Sequence, residues 1–125
     1  MVRQFNGGST RNANDNKLDY EGFNSSIVDL AYAKYMHAHR FLEDGSMRDS
    51  DNWQKGGKDW EAELPKSMFR HFQDYRLMER GYKVTENGEE LHMEEVLCGI
   101  IFNAKSKLHE MLKDTKTVER NYIPK

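Results

Sequence analysis

A chain of 125 residues has the length of one domain, and its 37% hydrophobic and 32% charged residues are compatible with a folded, water-exposed protein. Its 19 basic and 21 acidic side chains give a net charge of −2, so the chain lacks the positive field that would attract a nucleic-acid polymer or an anionic membrane. The single cysteine, Cys98, excludes an intrachain disulfide and a cysteine-rich zinc site.

The N-terminal part of the chain predicts an irregular arm, one helix and a long loop. Residues 6–24 are rich in Gly, Asn, Asp and Ser, a composition typical of irregular structure, and the arm is predicted over residues 1–24. Ser26 is placed to cap a helix, and Asp29 favours its first turn. Apolar residues then recur at helical spacing, which predicts a first helix over residues 26–42. The polar, glycine-containing residues 43–60 predict the loop.

Two further helices are expected in the second half of the chain. Pro65 suits the first turn of a second helix, where its missing N–H costs nothing, and Gly81 is placed to end that helix. Asn87-Gly88 indicates a turn, either in a small hairpin or in a loop. The third helix is the clearest element, because its apolar residues from Met93 to Leu112 keep helical spacing for five turns. Its core stripe is predicted to be centred on Met93, Leu97, Ile100 and Ala104.

These elements predict an all-α helical bundle forming one domain over residues 1–125, with a polar tail over residues 114–125. The apolar stripe of the third helix is longer than two partner helices easily cover, so we expect a homo-oligomer. The first residues lack the apolar run of a signal peptide, and nowhere do about 18 apolar residues follow one another. A cytoplasmic protein without a membrane partner is therefore expected.

Polar side chains flank the predicted apolar stripes of the second and third helices, and they would converge if these flanks face each other. Carboxylates in such a cluster suit Mg²⁺ or Mn²⁺, which take oxygen ligands and bind bridging phosphates. The alternative is a solvated acidic face with hydrogen-bonded histidines at its boundary. The flanking residues are His71, Asp74 and Glu79 on the second helix, and His92, Glu94, Glu95 and Asn103 on the third.

The predicted loop places an aromatic residue among basic and amide groups. Trp53 lies between Arg48 and Lys55, a combination able to stack on a base and to meet phosphates. The alternative is that Trp53 anchors the loop to the bundle. The chain contains no glycine-rich phosphate-binding motif and no Ser-His-Asp or activated-cysteine pattern.

Five stretches occur in a particular order, at residues 16–23, 35–40, 48–56, 66–72 and 94–104. Together they resemble phage proteins named for an N-terminal dATP/dGTP diphosphohydrolase domain, which are related to the MazG-like pyrophosphohydrolases. The resemblance covers roughly residues 7–112. Its more specific parts are the Asn-Trp-x-Lys-Gly loop beginning at Asn52 and the Arg70-His71 pair.

This resemblance implies an all-α MazG-like fold and a metal-dependent attack of water on a nucleoside triphosphate, with release of pyrophosphate. A purine deoxynucleotide is the favoured substrate, and Mg²⁺ or Mn²⁺ is the expected cofactor. Glu79 and Glu95 are the expected catalytic residues. The expected metal ligands are Asp74, Glu79, Glu94 and Glu95, and the expected substrate-binding residues are Arg48, Trp53, Lys55, Arg70, His71, His92 and Asn103.

The acidic residues of this chain differ from the pattern of the family, and two alternatives therefore stay open. MazG-type enzymes carry Glu-x-x-Glu and Glu-x-x-Asp pairs on successive helices, whereas this chain has His71-x-x-Asp74 and Glu94-Glu95. The first alternative is a phage protein that sequesters a nucleotide, such as a signalling nucleotide, in the host cytoplasm without hydrolysing it. The second is a helical oligomer that serves as an assembly partner and binds no nucleotide.

Overall fold

The computed structural model describes residues 2–8, 10–12 and 16–125, which belong to two compact units. The first unit consists of Met1–Ser25 and Thr115–Lys125, and the second consists of Ser26–Asp114. The arm and the tail predicted from composition thus fall together in the first unit, and the three helices make up the second.

The first unit contains a short antiparallel pair of strands. Strand β1 (Val2–Gln4) pairs with β2 (Thr10–Asn12), so that Val2 lies opposite Asn12. The tail is tied to the arm by the N–H of Tyr122, which donates to the carbonyl oxygen of Asn16 at 2.9 Å. The prediction of an irregular arm missed these two strands, and its residues 1, 9 and 13–15 lie outside the described part of the chain.

Helix α1 runs over Ser26–Ala38, so it begins at the predicted residue and ends four residues earlier than predicted. The chain then folds back in a tight loop, with a single bridge between Phe41 and Met47. The loop turns at Gly45, whose φ of +86° lies in the left-handed region that glycine adopts without strain. Phe41 and Leu42 therefore lie in this loop, although their spacing predicted that they belong to the helix.

The predicted loop 43–60 is a loop as far as residue 51, but its second part and the predicted helix start at Pro65 were wrong. A 3₁₀ turn spans Asn52–Lys55, and helix α2 runs over Gly57–Glu79 with Pro65 inside it. The first two turns are held by tertiary contacts. The ring of Trp60 lies 6.3 Å from that of Phe102, and Leu64 is only 2% exposed. Packing has overridden the usual preference of proline for the first turn of a helix.

A small hairpin joins the last two helices, which settles the choice left open for Asn87-Gly88. Strands β3 (Thr85–Glu86) and β4 (Glu89–Glu90) are antiparallel. Asn87 and Gly88 both have positive φ, at 54° and 87°, which is the geometry of the favoured two-residue hairpin turn. Gly81, at φ +89°, follows the end of α2, as predicted.

Helix α3 spans Met93–Leu112, which confirms its predicted bounds, but the orientation predicted for it was wrong. Leu97 is 42% exposed and Ala104 is also exposed, although both were expected in the core. The small and polar face packs against α2 instead. Gly99 explains the orientation, because an added Cβ there would stand 2.9 Å from the ring of His71. The buried face consists of Val96, Gly99, Asn103, Ser106 and Glu110.

Helices α2 and α3 pack along each other, and α1 and the 3₁₀ turn pack against α3. Leu64, Val96 and Cys98 are the fully buried apolar residues in the described part of the chain. Burial raises the pKa of the Cys98 thiol, which therefore stays protonated and behaves as a small core residue. None of the helices found in the described residues is long and apolar enough to cross a membrane.

Candidate functional site

A cavity of about 520 Å³ lies within the second unit, where the end of α1, the following loop, the 3₁₀ turn and the start of α2 meet α3. This volume falls in the range that small-molecule sites usually have. Its polar lining comes mostly from the loop and the end of α1, and its aromatic lining mostly from the other elements. The cavity is lined by Ala33, Tyr35, Met36, His37, His39, Arg40, Arg48, Asp49, Ser50, Asn52, Trp53, Gly56, Trp60 and Phe102.

Two tryptophans and a phenylalanine form the aromatic side of the cavity. The ring of Trp53 makes an edge contact with His109 of α3, at a centroid distance of 5.0 Å. Trp60 makes a similar contact with Phe102, at 6.3 Å. These contacts fix the orientation of the indoles, and so the rings are in place before any ligand arrives.

Gly56 is required for the position of Trp60. A Cβ at residue 56 would stand 2.5 Å from Cγ and Cδ2 of the indole, closer than any real carbon contact. The next residue, Gly57, starts α2 with a φ of +72°, a conformation that other residues rarely adopt. The Gly-Gly pair therefore lets the chain enter α2 while Trp60 folds back over the loop.

Two arginines form the basic side of the cavity, and the backbone holds them in place. The Nε of Arg40 donates to the carbonyl oxygen of Arg48 at 2.9 Å, and the N–H of Arg48 donates to the carbonyl oxygen of Arg40 at 2.8 Å. The Nη1 of Arg48 also donates to the carbonyl oxygen of His39 at 2.8 Å. Each guanidinium has five N–H donors, so most of them are left for an anion.

The charge around these arginines is positive. No ion pair found in the described residues involves Arg40 or Arg48. The one acidic lining residue, Asp49, lies 3.6 Å from the Nζ of Lys55, which also lies 3.2 Å from Asp51. The hydrogen bond to Asp51 raises the pKa of Lys55. Lys55 itself does not line the cavity, and it offsets the negative charge of Asp49 at its edge.

Tyr35 of α1 and His39, which follows the end of that helix, add polar groups to the same wall. The ring of Tyr35 lies 4.2 Å from that of His39, whose Nδ1 lies 2.7 Å from the carbonyl oxygen of Tyr35. That contact makes Nδ1 the protonated nitrogen of a neutral His39 ring, with Nε2 as an acceptor. Burial raises the pKa of Tyr35, so its hydroxyl remains a neutral donor.

The predicted substrate residues of α2 lie outside this cavity. Arg70 is exposed, and half-buried His71 packs against Gly99. Burial lowers the pKa of His71, and the nearby carboxylate of Asp74 opposes that shift. Glu79 lies beside Tyr75 near the end of α2, where its charge raises the pKa of the Tyr75 hydroxyl.

The predicted residues of α3 have contacts of their own. The Oε1 of Glu95 accepts a hydrogen bond from the N–H of His92 at 2.8 Å, which is one half of a capping box. Glu94 is exposed, and its charge raises the pKa of Cys98 after the larger effect of burial. Asn103 is 2% exposed and faces α2. Thus none of these four residues lines the cavity.

The carboxylates expected to hold Mg²⁺ or Mn²⁺ are not gathered. Among the described residues, no three His, Cys, Asp or Glu side chains come together in a group that could hold a metal ion. The arrangement of Asp74, Glu79, Glu94 and Glu95 therefore does not fit the metal site that the resemblance implies.

Arg48 and Trp53 are the predicted site residues that do line the cavity, and they meet partners that the sequence analysis did not select. Arg40, Trp60 and Phe102 complete the basic and aromatic sides. The available signal was the His37-x-His39-Arg40 cluster at the end of α1, which the sequence analysis did not select. Trp60 was assigned to the predicted loop 43–60, and so it was not considered as part of a helix beside Trp53. Comparisons of this chain with protein-family models, curated proteins and solved structures give no match.

Proposed function

We propose that this protein binds a nucleotide in the cavity between α1, the 3₁₀ turn and α3. The observation that carries the proposal is the meeting of two indoles and two arginines around one space of about 520 Å³. Aromatic faces bind a base, and guanidinium groups bind phosphate oxygens. The two halves of a nucleotide thus match the two sides of this cavity. We also propose, on the resemblance alone, that the helical unit is a MazG-like bundle.

The aromatic side favours a purine base. A base inserted beside Trp53 and Trp60 gains stacking of about 1–3 kcal/mol for each good contact. A bicyclic purine covers more of an indole than a pyrimidine does. The His39 ring and the Tyr35 hydroxyl supply polar groups at the edge of this space.

The basic side favours a phosphate close to the base. The side chain of Arg40 donates to the carbonyl oxygen of Arg48, and that of Arg48 donates to the carbonyl oxygen of His39, so little side-chain freedom is lost when they bind an anion. A charge-assisted hydrogen bond contributes about 1.5–3 kcal/mol, and so each arginine is expected to change the affinity at least tenfold. Binding without hydrolysis is the activity that these contacts support directly.

Calorimetric titration with a panel of purine and pyrimidine nucleotides tests this proposal. Arg48→Gln is expected to weaken purine nucleotide binding roughly tenfold or more. Arg70→Gln is the matched control, because this exposed arginine lies on α2 outside the cavity. The affinity of this variant for the nucleotide is expected to stay unchanged. If no nucleotide binds, or if Arg70→Gln and Arg48→Gln weaken binding equally, the cavity is not the site.

Hydrolysis of a nucleoside triphosphate is a second proposal, and it rests on the resemblance. The resemblance implies a catalytic role for Glu79 and Glu95, neither of which lines the cavity. Following pyrophosphate in the same titration, with Mg²⁺ or Mn²⁺ added, tests it. Pyrophosphate release that stops in Glu79→Gln supports hydrolysis, and ligand recovered intact supports binding alone.

A further inference from the structure

Two histidines line the cavity together with the two arginines. His37 belongs to the last turn of α1, and His39 follows the end of that helix, directly before Arg40. Arg48 joins them from the loop. Histidine is the side chain that ordinarily changes its charge between about pH 5 and pH 8. The positive charge of this side of the cavity is therefore fixed where it comes from the arginines and depends on pH where it comes from the histidine pair, His37 and His39.

The ring of His39 is held so that one of its nitrogens responds to pH. Its Nδ1 lies 2.7 Å from the carbonyl oxygen of Tyr35, and a proton on Nδ1 maintains this hydrogen bond in both the neutral and the charged ring. Nε2 is then the nitrogen that gains a proton in acid. It accepts hydrogen bonds in the neutral ring and donates them in the charged ring. Acid therefore changes a group that repels phosphate oxygens into one that binds them.

The ring of His37 is positioned by an aromatic neighbour. It stands edge-on to the ring of Phe41, at a centroid distance of 5.4 Å and an angle of 81° between the ring planes. This contact restricts the imidazole beside the cavity that it lines. Little side-chain freedom is therefore lost when His37 binds an anion.

The charged neighbours from the loop favour an anion beside the histidine pair. Arg40 and Arg48 stay positive over the whole of this pH range. The negative charge of Asp49 is offset by the Nζ of Lys55, which lies 3.6 Å away. A proton on either imidazole is unfavourable beside two guanidiniums while the cavity is empty, and it becomes favourable once a phosphate lies among them. Binding of phosphate and protonation of the pair are therefore linked.

The neighbours from the helices titrate outside the range of the histidine pair. Burial raises the pKa of Tyr35 of α1, and Cys98 and Glu95 of α3 add smaller effects in the same direction. Burial lowers the pKa of His71 of α2, and the nearby charge of His39 adds to that shift. Tyr35 therefore stays neutral, and His71 gains its charge at a lower pH than an ordinary histidine does. The charge that varies on this side of the cavity is that of the histidine pair.

We propose that the histidine pair binds the terminal phosphate of the nucleotide, so that the cavity prefers a free, doubly charged phosphate to a cyclic phosphodiester and binds it most tightly in mild acid. This inference rests on the nucleotide binding proposed above. A phosphomonoester carries two negative charges above its second pKa of about 6 and has three acceptor oxygens, whereas a diester carries one charge. Two guanidiniums and two imidazoles around one space match the monoester.

The two classes of nucleotide are expected to differ in how their affinity depends on pH. AMP keeps most of its second charge from about pH 8 to about pH 6.5, and the histidine pair gains protons over the same range. The affinity for AMP is therefore expected to rise roughly tenfold. Below about pH 6 the phosphate of AMP gains a proton, and the affinity falls again. Cyclic AMP keeps a single charge throughout, so its weaker binding is expected to strengthen in acid without a later decline.

Calorimetric titration of the full chain with AMP and with cyclic AMP, in steps from about pH 8 to about pH 5, makes this comparison. The two ligands carry the same base, so a loss of folded protein in acid would lower both affinities alike. Titration near neutral pH in two buffers of different ionisation enthalpy also measures the protons taken up on binding. We expect a net uptake of protons with AMP.

Three histidine variants assign the pH dependence. His39→Asn keeps a donor in the place of Nδ1 and removes Nε2, and His37→Asn removes the other imidazole. Each is expected to reduce both the rise in AMP affinity and the uptake of protons. His92→Asn is the matched control, because His92 lies outside the cavity at the start of α3, where asparagine is a favoured N-cap residue. Its pH profile is expected to equal that of the unaltered chain.

An AMP affinity that does not change with pH would overturn this proposal and leave nucleotide binding in place, and so would equal profiles for AMP and cyclic AMP. Failure of the chain to bind either ligand at any pH would overturn both proposals. If His37→Asn or His39→Asn does not fold, the two profiles and the proton uptake of the unaltered chain still decide the matter.

Discussion

Gly56 is the single residue on which the aromatic side of the cavity most directly depends. A methyl group at this position would stand 2.5 Å from two ring atoms of Trp60, so the indole must move. We expect Gly56→Ala to weaken purine nucleotide binding roughly tenfold, because one base stack contributes about 1–3 kcal/mol. Titration followed by tryptophan fluorescence measures the loss, and circular dichroism reports whether the helices persist.

Gly7→Ala is the control for this substitution, since nothing lies within 4 Å of a Cβ at Gly7, which belongs to the first unit. It is expected to bind nucleotide as the unaltered chain does. Unchanged affinity in Gly56→Ala would mean that Trp60 does not contact the ligand, and the base would then have to be placed on Trp53 alone.

His71 gives the protein a pH-dependent stability. Burial lowers the pKa of its imidazole below the ordinary value of 6.5, so the unfolded chain binds the proton more tightly than the folded one. The stabilising contribution is full above this ordinary value and is lost as the pH falls through the folded-state pKa. Between about pH 8 and pH 5, the unaltered chain should lose more free energy of unfolding than His71→Asn does.

Urea denaturation at both ends of this pH range makes that comparison. If His71→Asn and the unaltered chain lose the same stability, the imidazole is no more desolvated than an exposed one.

The residues of the cavity were only partly predictable. Arg48 and Trp53 were selected because a tryptophan among cations is a local pattern, visible within a few residues. Trp60 and Phe102 are separated by 42 positions, and their contact depends on how α2 crosses α3. No local pattern carries that information, and so the aromatic side could be predicted only in part.

At the scale of elements, the third helix was predicted well in extent and wrongly in orientation. Its bounds follow from periodicity, but its apolar stripe was assumed to face the core. The structure buries a neighbouring face instead, where Gly99 admits the His71 ring. Periodicity identifies an apolar face without telling which partner covers it, and a partner in another chain is one of the possibilities.

The start of α2 was predicted wrongly because the prediction relied on one residue, Pro65. Pro65 was taken as the first turn, because proline lacks an N–H and costs nothing there. Eight helical residues precede it in the structure, held by buried Leu64 and by the 2.7 Å ion pair of Glu61 with Lys107. The contacts that stabilise this extension are long-range, and so it was not predictable from the residues around Pro65.

The buried face of α3 leads to a prediction about stability. Ser106 is fully buried, and its Oγ has no hydrogen-bond partner among the described residues. A buried hydroxyl without a partner costs free energy, and its removal with little change of shape relieves that cost. Ser106→Ala is therefore expected to raise the free energy of unfolding by roughly 1 kcal/mol, measured by urea denaturation.

Alanine also has a higher helix propensity than serine, and Ser67→Ala measures that contribution separately. Ser67 is half-buried inside α2, so its replacement reports the gain in helix propensity, roughly 0.5 kcal/mol. The difference between the two variants isolates the hydroxyl of Ser106. A loss of stability in Ser106→Ala would show that this hydroxyl makes a stabilising hydrogen bond in solution.

For the whole molecule, ligand binding and folding are linked. A nucleotide that binds only the folded chain stabilises it by about 2.7 kcal/mol at a hundredfold excess over its dissociation constant. Thermal denaturation with increasing AMP, dATP or dCTP should therefore rank these ligands in the same order as calorimetry. Equal shifts for purine and pyrimidine nucleotides would contradict the purine preference assigned to the two indoles.

The effect of metal ions on affinity distinguishes nucleotide binding alone from nucleotide hydrolysis. Arg40 and Arg48 line the cavity, whereas Asp74, Glu79, Glu94 and Glu95 do not. If the arginines alone hold the phosphate, adding EDTA should leave the affinity for AMP unchanged, and Glu79→Gln should bind AMP as tightly as the unaltered chain. Calorimetric titration with Mg²⁺, with Mn²⁺ and with EDTA makes the measurement.

A tenfold gain in affinity with either metal that disappears in Glu79→Gln or Glu95→Gln would mean that ligand binding brings these carboxylates together. The diphosphohydrolase proposal would then replace binding alone.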